Sequence, residues 1–496
     1  LHLRLKDDPS TLDPAYIVDV PGGALAAKIY NGLVRFDPEG RVIPDLASRW
    51  EISDDGQLYC FHLREGIRFT NGREVTAEDV VYSLRRILEP ETNSPRSWLL
   101  SAVKGSAPFL KGESKELPGI RTGKDGVVEI ELDKPTGLFL DFLAMPNASI
   151  VPREEVERTT PSFSDHPCGT GPFKLTEWKH NNRIILAGNP DYFMGSPRLS
   201  GIEYRIIPEA LTTVVEFEQG NLDIMEVPRA EYKKYTGELP WKEQILNRVG
   251  LNSYYLGFNC EKAPWDNYLV RQAVNYAIDR RKIIDVLLQG RAVPAFGPVP
   301  PGLLPPVSGK GYQYNPDKAR SLLEAAGVKL PLKIVFLFKA DREVLSISEV
   351  IQDYLKKVGI EAVLIQREWS SFKEAVNKGD FDIFFLSWWG DYPDAENFLY
   401  PTFYSGNIGP GGNRSRFSDR EIDEKLRTAA RETNREDRLR ILSSVEARVI
   451  RLAPWVFLWH KKEVMVCQPR VENYHIPLIY NGDKFDRINL IFPSEK

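Results

Sequence analysis

Through residues 31–160 the apolar positions alternate with polar ones in short runs, and further along they switch to helical periods. Alternation at Leu1-His2-Leu3-Arg4-Leu5-Lys6 predicts a first strand. Leu58–Leu63 predicts another, followed by a turn at Asn71-Gly72. Thr76-Ala77-Glu78-Asp79 is a capping-box variant that opens a helix running to about Leu88. Lys104 to Asp133 is turn-rich and ends in the strand Val127–Leu132. Residues 31–160 therefore read as a mainly β subdomain.

Beyond residue 161, Phe173 enters a hairpin that turns at Asn181-Asn182 and returns through Arg183–Ala187. Gly201–Ile207, Leu211–Gln219 and Asp223–Val227 read as a βαβ unit, with Gly220 ending its helix. Tyr254–Asn259 reads as a strand. Asp266 is expected to cap one long helix from Asn267 to Gln289, which Gly290 stops, with Val270, Val274, Ala277 and Ile284 on its buried face. A proline-rich loop, Pro294 to Pro306, leads to a helix opened by Asn315-Pro316 and ended by Gly327. The most regular stretch follows. Leu332–Phe338, Glu361–Gln366 and Asp382–Leu386 read as strands. Helices at Glu343–Val358 and from the Ser370 cap to Lys378 separate them, which makes βαβαβ and predicts a parallel, doubly covered sheet. Helices near 419–432 and 435–451 and two strands, Trp455–His460 and Val464–Cys467, complete the pattern.

At 496 residues the chain exceeds one hydrophobic core, so two or three domains are expected. A net charge of -4 argues against a nucleic-acid partner. No apolar run is long enough to span a membrane, and the N-terminus lacks the apolar stretch of a signal peptide. Cys60, Cys168, Cys260 and Cys467 lie far apart and are expected to be packed thiols, with pairing left open. No nucleophile elbow, phosphate loop or paired-histidine zinc motif occurs, so neither a catalytic residue nor a metal or cofactor is expected.

Parallel sheets take ligands beyond the carboxyl ends of their strands. In the βαβαβ run that rule selects Lys339-Ala340-Asp341-Arg342, then Arg367-Glu368-Trp369, then Ser387-Trp388-Trp389-Gly390-Asp391-Tyr392-Pro393-Asp394. Cations, carboxylates and tryptophans gather at one sheet edge, which suits an organic solute with both charge and apolar surface. Trp388 and Trp389 would serve equally as core packing, and Asp391 as a turn residue.

Three linked pieces carry a family resemblance. They are Pro44-Asp45-Leu46-Ala47-Ser48-Arg49-Trp50-Glu51, then Leu63-Arg64-Glu65-Gly66-Ile67-Arg68-Phe69, then Asn71-Gly72 with Thr76-Ala77-Glu78-Asp79-Val80. This resembles the signature of the extracytoplasmic solute-binding proteins of peptide and nickel ABC importers, family 5. The resemblance implies an α/β, two-lobed, type II periplasmic-binding fold with an extra β-rich subdomain in the first lobe. Lobe I would comprise 1–30, 161–248 and 466–496, with 31–160 as its insert, and lobe II would comprise 249–465. Hinges would lie near 245–253 and 458–468.

Ser387 to Phe398 is similar to the family's ligand-contacting segment, in which the aspartate at Asp391 pairs with a peptide α-ammonium. Trp369 matches a cavity tryptophan, and Gly411-Gly412-Asn413-Arg414 resembles a nearby loop. Asp19-Val20-Pro21-Gly22-Gly23 matches the first-lobe region that faces the ligand backbone. Topology and resemblance together nominate Asp391, Trp388, Trp389, Gly390, Tyr392, Trp369, Arg342, Asn413, Gly22 and Gly23 as ligand-binding residues. The pattern also departs from the family, because Leu345 or Ser346 and Phe385 stand where peptide binders carry a carboxylate-clamping arginine. Arg342, Lys339 and Lys310 are the available substitutes.

The implied protein is a monomeric, non-enzymatic receptor that captures di- to oligopeptides by hinge closure. It would deliver them to an ABC permease with a cytoplasmic ATPase. It would be periplasmic or lipid-anchored outside the membrane, with its leader removed. An oligosaccharide or other non-peptide solute is the alternative ligand, and a non-transport receptor or chaperone-like protein the alternative class.

Overall fold

The N-terminal alternation does form a strand, β1 (His2–Leu5), in the computed structural model, which describes residues 1–158, 160–305, 311–410 and 412–491. Pro306, Lys310 and Gly411, named above, lie outside the described residues. The chain divides into two units, 1–247 with 464–496, and 248–463.

In the first unit Asp19 caps helix α1 (Val20–Ile29) by accepting the Gly22 amide at 2.6 Å. Strands β2 (Ala47–Ile52), β3 (Leu58–Leu63), β4 (Ile120–Thr122) and β5 (Val128–Glu131) form an antiparallel sheet in the order β2-β3-β5-β4. Helix α2 (Ala77–Leu88) accompanies it, and its Thr76–Asp79 capping box forms as the spacing predicts. Strands β6 (Phe173–Lys179), β7 (Arg183–Gly188) and β8 (Gly201–Ile206) continue the chain, and the second sheet runs β1-β8-β7-β6. Helix α3 (Ala210–Glu218) leads to β9 (Ile224–Glu226). The expected βαβ unit is corrected here. β8 pairs with β1, whereas β9 bonds to the far side of β1 through the Asp223 amide and the His2 carbonyl at 2.8 Å. The N-terminal strand has inserted between the two, which local periodicity cannot announce.

The second unit holds β10 (Asn252–Phe258), helices α4 (Tyr268–Ala277), α5 (Arg280–Val286) and α6 (Pro316–Ala325), then β11 (Leu332–Lys339), α7 (Arg342–Lys356), β12 (Ile360–Arg367), α8 (Trp369–Lys378) and β13 (Ile383–Trp389). Helices α9 (Glu396–Phe403), α10 (Arg420–Ala429) and α11 (Arg435–Leu452) precede β14 (Trp455–Cys467). The sheet order is β14-β10-β13-β11-β12, parallel where β11 meets β12 and β13, and antiparallel around β10. Phe258, Trp265, Val274, Phe336, Ile351 and Leu355 pack the core on one side of it.

Four boundaries differ notably from expectation, the first being that β13 runs on to Trp389, three residues past the expected Leu386. The long helix after Asp266 is two helices. Asn267 caps the first, the chain goes extended at Ile278, and Asp279 caps the second by accepting the Lys282 amide at 3.1 Å. A short acidic side chain that can bond nearby amides competes with helix continuation there. Helix α8 begins at Trp369, after Glu368 and ahead of the expected Ser370 cap. β14 is one continuous strand of 13 residues. Its last residues, Met465 to Cys467, belong to the first unit and pair antiparallel with β9.

Candidate functional site

The carboxyl ends of β11, β12 and β13 are Lys339, Arg367 and Trp389, so the sheet edge selected by topology is the one observed. A cavity of about 400 Å³ opens there within the second unit. Its aromatic wall consists of Tyr254, Trp369, Phe385, Trp389 and Trp459. Phe385, Ser387 and Trp389 reach it together because side chains two apart on a strand share a face. Trp369 and Trp389 remain 49% and 53% exposed, unusually open for tryptophan. The Tyr254 ring lies 6.1 Å from Trp459, 6.3 Å from Phe385 and 6.4 Å from Trp389. Burial raises its hydroxyl to about 12, with Glu343 adding to the rise, so it stays a neutral donor at neutral pH.

Four charges share this cavity. Asp341 caps α7 by accepting the amides of Glu343 and Val344 at 2.8 and 3.0 Å. The Lys339 ammonium stands 3.8 Å from Asp341, and the Lys461 ammonium 3.9 Å from Glu343. Lys461 also lies 4.9 Å over the Tyr254 ring. Both ion pairs are long and partly exposed, so each lysine keeps donors available for a solute at little cost.

Past the cavity the chain turns through Gly390 to Asp394. Gly390 donates to the Leu251 carbonyl at 2.9 Å, and a side chain there would stand 3.1 Å from the Phe398 ring. Asp391 is exposed. Its amide donates to the Asn397 Oδ1 at 3.2 Å, while its carboxylate has no ion pair or hydrogen-bond partner among the described residues.

Within the second unit the structure brings Trp369, Trp389 and Lys339 to one edge, with the Asp391 loop directly after Trp389. Trp388 is not among the residues that line the cavity, and its indole donates to Asn397 Oδ1 at 3.4 Å. Tyr392, nominated as a ligand contact, is buried, with its hydroxyl 2.5 Å from Glu396 Oε2. Asn413 is likewise buried. It bonds the carbonyls of Tyr404 and Phe417 and accepts the Phe417 amide, closing its own loop. Arg342 is exposed outside the cavity wall. In the first unit, a side chain at Gly22 would meet the Thr11 carbonyl at 3.0 Å, and one at Gly23 would meet the Tyr480 ring at 2.3 Å. Both glycines are explained by close packing around α1.

Tyr254, Trp459 and Lys461 were not foreseen. Tyr254 and Trp459 meet through the pairing of β10 with β14, which joins residues some two hundred apart in sequence. The one local signal was the alternation that puts Trp459 and Lys461 on the same face. All four cysteines are free thiols, and no cluster of metal-binding side chains occurs among the described residues.

Residues 41–410 match the family model described as "Bacterial extracellular solute-binding proteins, family 5 Middle". The chain is 32% identical to the heme-binding protein A of Haemophilus influenzae over 488 residues, 94% of this chain and 88% of that one. It is 28% identical to the dipeptide-binding protein of Escherichia coli over 478 residues, 91% and 87% of the two chains. The periplasmic murein tripeptide-binding protein MppA, in its unliganded open form, superposes with a TM-score of 0.90 at 26% identity, covering 100% of this chain and 98% of that one.

Proposed function

The chain belongs to the family 5 bacterial extracellular solute-binding proteins, with their type II periplasmic-binding fold, and from that premise we propose that it is the peptide-capturing receptor of an ABC importer. The observation that carries this reading is the pairing of opposite chemistries at one sheet edge. An exposed, unpartnered Asp391 carboxylate stands two residues along the chain from a cavity that holds Lys339, Lys461 and aromatic walls. A peptide's ammonium, carboxylate and side chains need those three partners respectively. Lys461 takes the part of the carboxylate clamp that the family's arginine positions lack here. Peptide backbone bonds to strand-like segments would make binding tolerant of side-chain sequence.

The chain passes between its units twice, at 247/248 and 463/464. We propose these crossings as the hinge, and residues 31–160 as the β-rich insert of the first lobe. Solute that favours the closed state shifts the population toward it, and a shift from mostly open to mostly closed needs about 5.5 kcal/mol of differential affinity. The partners would be a membrane permease and its cytoplasmic ATPase, served by a monomer outside the cytoplasm. Asp391, Trp369, Trp389, Lys339 and Lys461 are the proposed ligand contacts.

One feature favours a second reading. The exposed faces of Trp369 and Trp389 beside two lysines also suit a flat, carboxylate-bearing solute such as heme, the ligand named for the Haemophilus relative. Denaturing the purified protein and weighing what it releases decides between them. Short peptides support the proposal, the mass of heme with a Soret band moves it to the second reading, and hexose-spaced masses convert the tryptophans to sugar platforms.

A further inference from the structure

The loop that bears Asp391 is held from behind by a buried polar layer that no solute in the cavity would touch. Asn397, fully surrounded by protein, accepts the Asp391 amide at 3.2 Å and lies 3.4 Å from the Trp388 indole nitrogen. Its side chain also meets the Tyr392 hydroxyl, which donates to Glu396 at 2.5 Å. Asp394 accepts the Glu396 amide at 2.8 Å and both terminal nitrogens of Arg438 at 2.8 and 2.6 Å. Arg438 lies in the first turn of α11 and is 5% exposed, so its fork is locked. The chain of contacts runs from helix α11, through Asp394, Glu396, Tyr392 and Asn397, to the amide of Asp391, whose carboxylate is exposed.

We propose that Asn397, Tyr392, Glu396, Asp394 and Arg438 are positioning residues that fix where the Asp391 carboxylate stands, and that they thereby set the receptor's preference for solutes with a free ammonium group. This rests on the peptide reading given above. The physical reason is preorganisation. A turn such as Asp391-Tyr392-Pro393-Asp394 on a bare surface would sample many orientations, and a solute binding it would have to order it. Bidentate arginine bonds and buried hydrogen bonds meet that cost during folding, before any solute arrives. Asn397 is the last link, because a single oxygen holds both Asp391 and Trp388.

The test compares wild type, Asn397→Leu and the milder Tyr392→Phe against trialanine and N-acetyl-trialanine by calorimetry. Hydrogen exchange of residues 388–392 is followed alongside in the solute-free proteins. Wild type is expected to prefer the free amine by about tenfold or more. Asn397→Leu is expected to erase that preference, with the acetylated peptide's affinity unchanged, and to speed exchange at Asp391; Tyr392→Phe should do both to a smaller degree. An equal loss for both peptides makes the layer merely structural and overturns the proposal, as does unchanged exchange in both variants. If wild type binds neither peptide, the peptide reading fails, and the exchange data still decide whether Asn397 fixes the loop.

Discussion

Three buried titratable side chains in the second unit carry opposite pH signatures. Burial lifts the carboxyls of Glu396 and Glu446 to about 7. Burial lowers the His460 imidazole to about 4, against its bond to the Asn252 carbonyl at 2.7 Å. A carboxyl with a raised value is held protonated by the fold. Its contribution is full below the unfolded value of 4.5 and is lost as pH rises to about 7. A depressed imidazole works the other way, contributing fully above 6.5 and losing it as pH falls to about 4. Two carboxyls outweigh one imidazole, so these groups make stability fall as pH climbs from about 5 to about 7. Each carboxyl accounts for a change on the order of 3 kcal/mol. Glu446→Gln should therefore flatten the decline in urea unfolding across that range. A slope unchanged by the substitution would mean that Glu446 is already charged in the fold. The placement of Trp369, Trp389 and Asp391 at or just past the strand ends was legible because strand ends are legible. The burial of Tyr392 and Asn413 was not, since a motif fixes which residues form a loop without fixing which of them face inward.

At the scale of elements, the run from β11 to β13 was readable almost to the residue. Its helices carry local stop signals, Gly359 and Gly379, and both adopt the left-handed conformation that glycine favours, with φ near 84° and 85°. The break between α4 and α5 was hidden, because Ile278 keeps the apolar spacing of a continuous helix while Asp279 ends it. Asp279→Ala should cost about 1 kcal/mol by removing the second cap, measured by chemical denaturation. Pairing registers were equally hidden. Gly257, on β10, shows how tight they are, since a methyl there would stand 2.3 Å from the Phe384 ring of β13. Gly257→Ala is expected to destabilise by about 1–3 kcal/mol through overpacking. A neutral result would show that Phe384 has room to turn aside.

For the whole molecule, the second unit is a single uninterrupted segment, 248–463, with its own sheet and core. The first unit needs chain from both ends. Expressed alone, residues 248–463 should unfold cooperatively, as followed by circular dichroism, and a broad, non-cooperative melt would make its core dependent on the rest of the chain. The family and fold class were legible from one stretch near the N-terminus, Pro44 to Leu88, because its strands, turn and capped helix are all locally encoded. Of the two cavity lysines, Lys339 was legible at its strand end and Lys461 was not, because Lys461 reaches the cavity only through the long-range pairing of β14 with β10.

In the proposed function Asp391 captures a peptide ammonium. Calorimetry of a peptide released from the purified protein, against wild type and Asp391→Asn, tests it most directly. A loss of about 2–5 kcal/mol in binding free energy is expected, because the substitution leaves a desolvated ammonium without its counter-charge. An affinity unchanged by Asp391→Asn, with a wild-type melting curve, would contradict it.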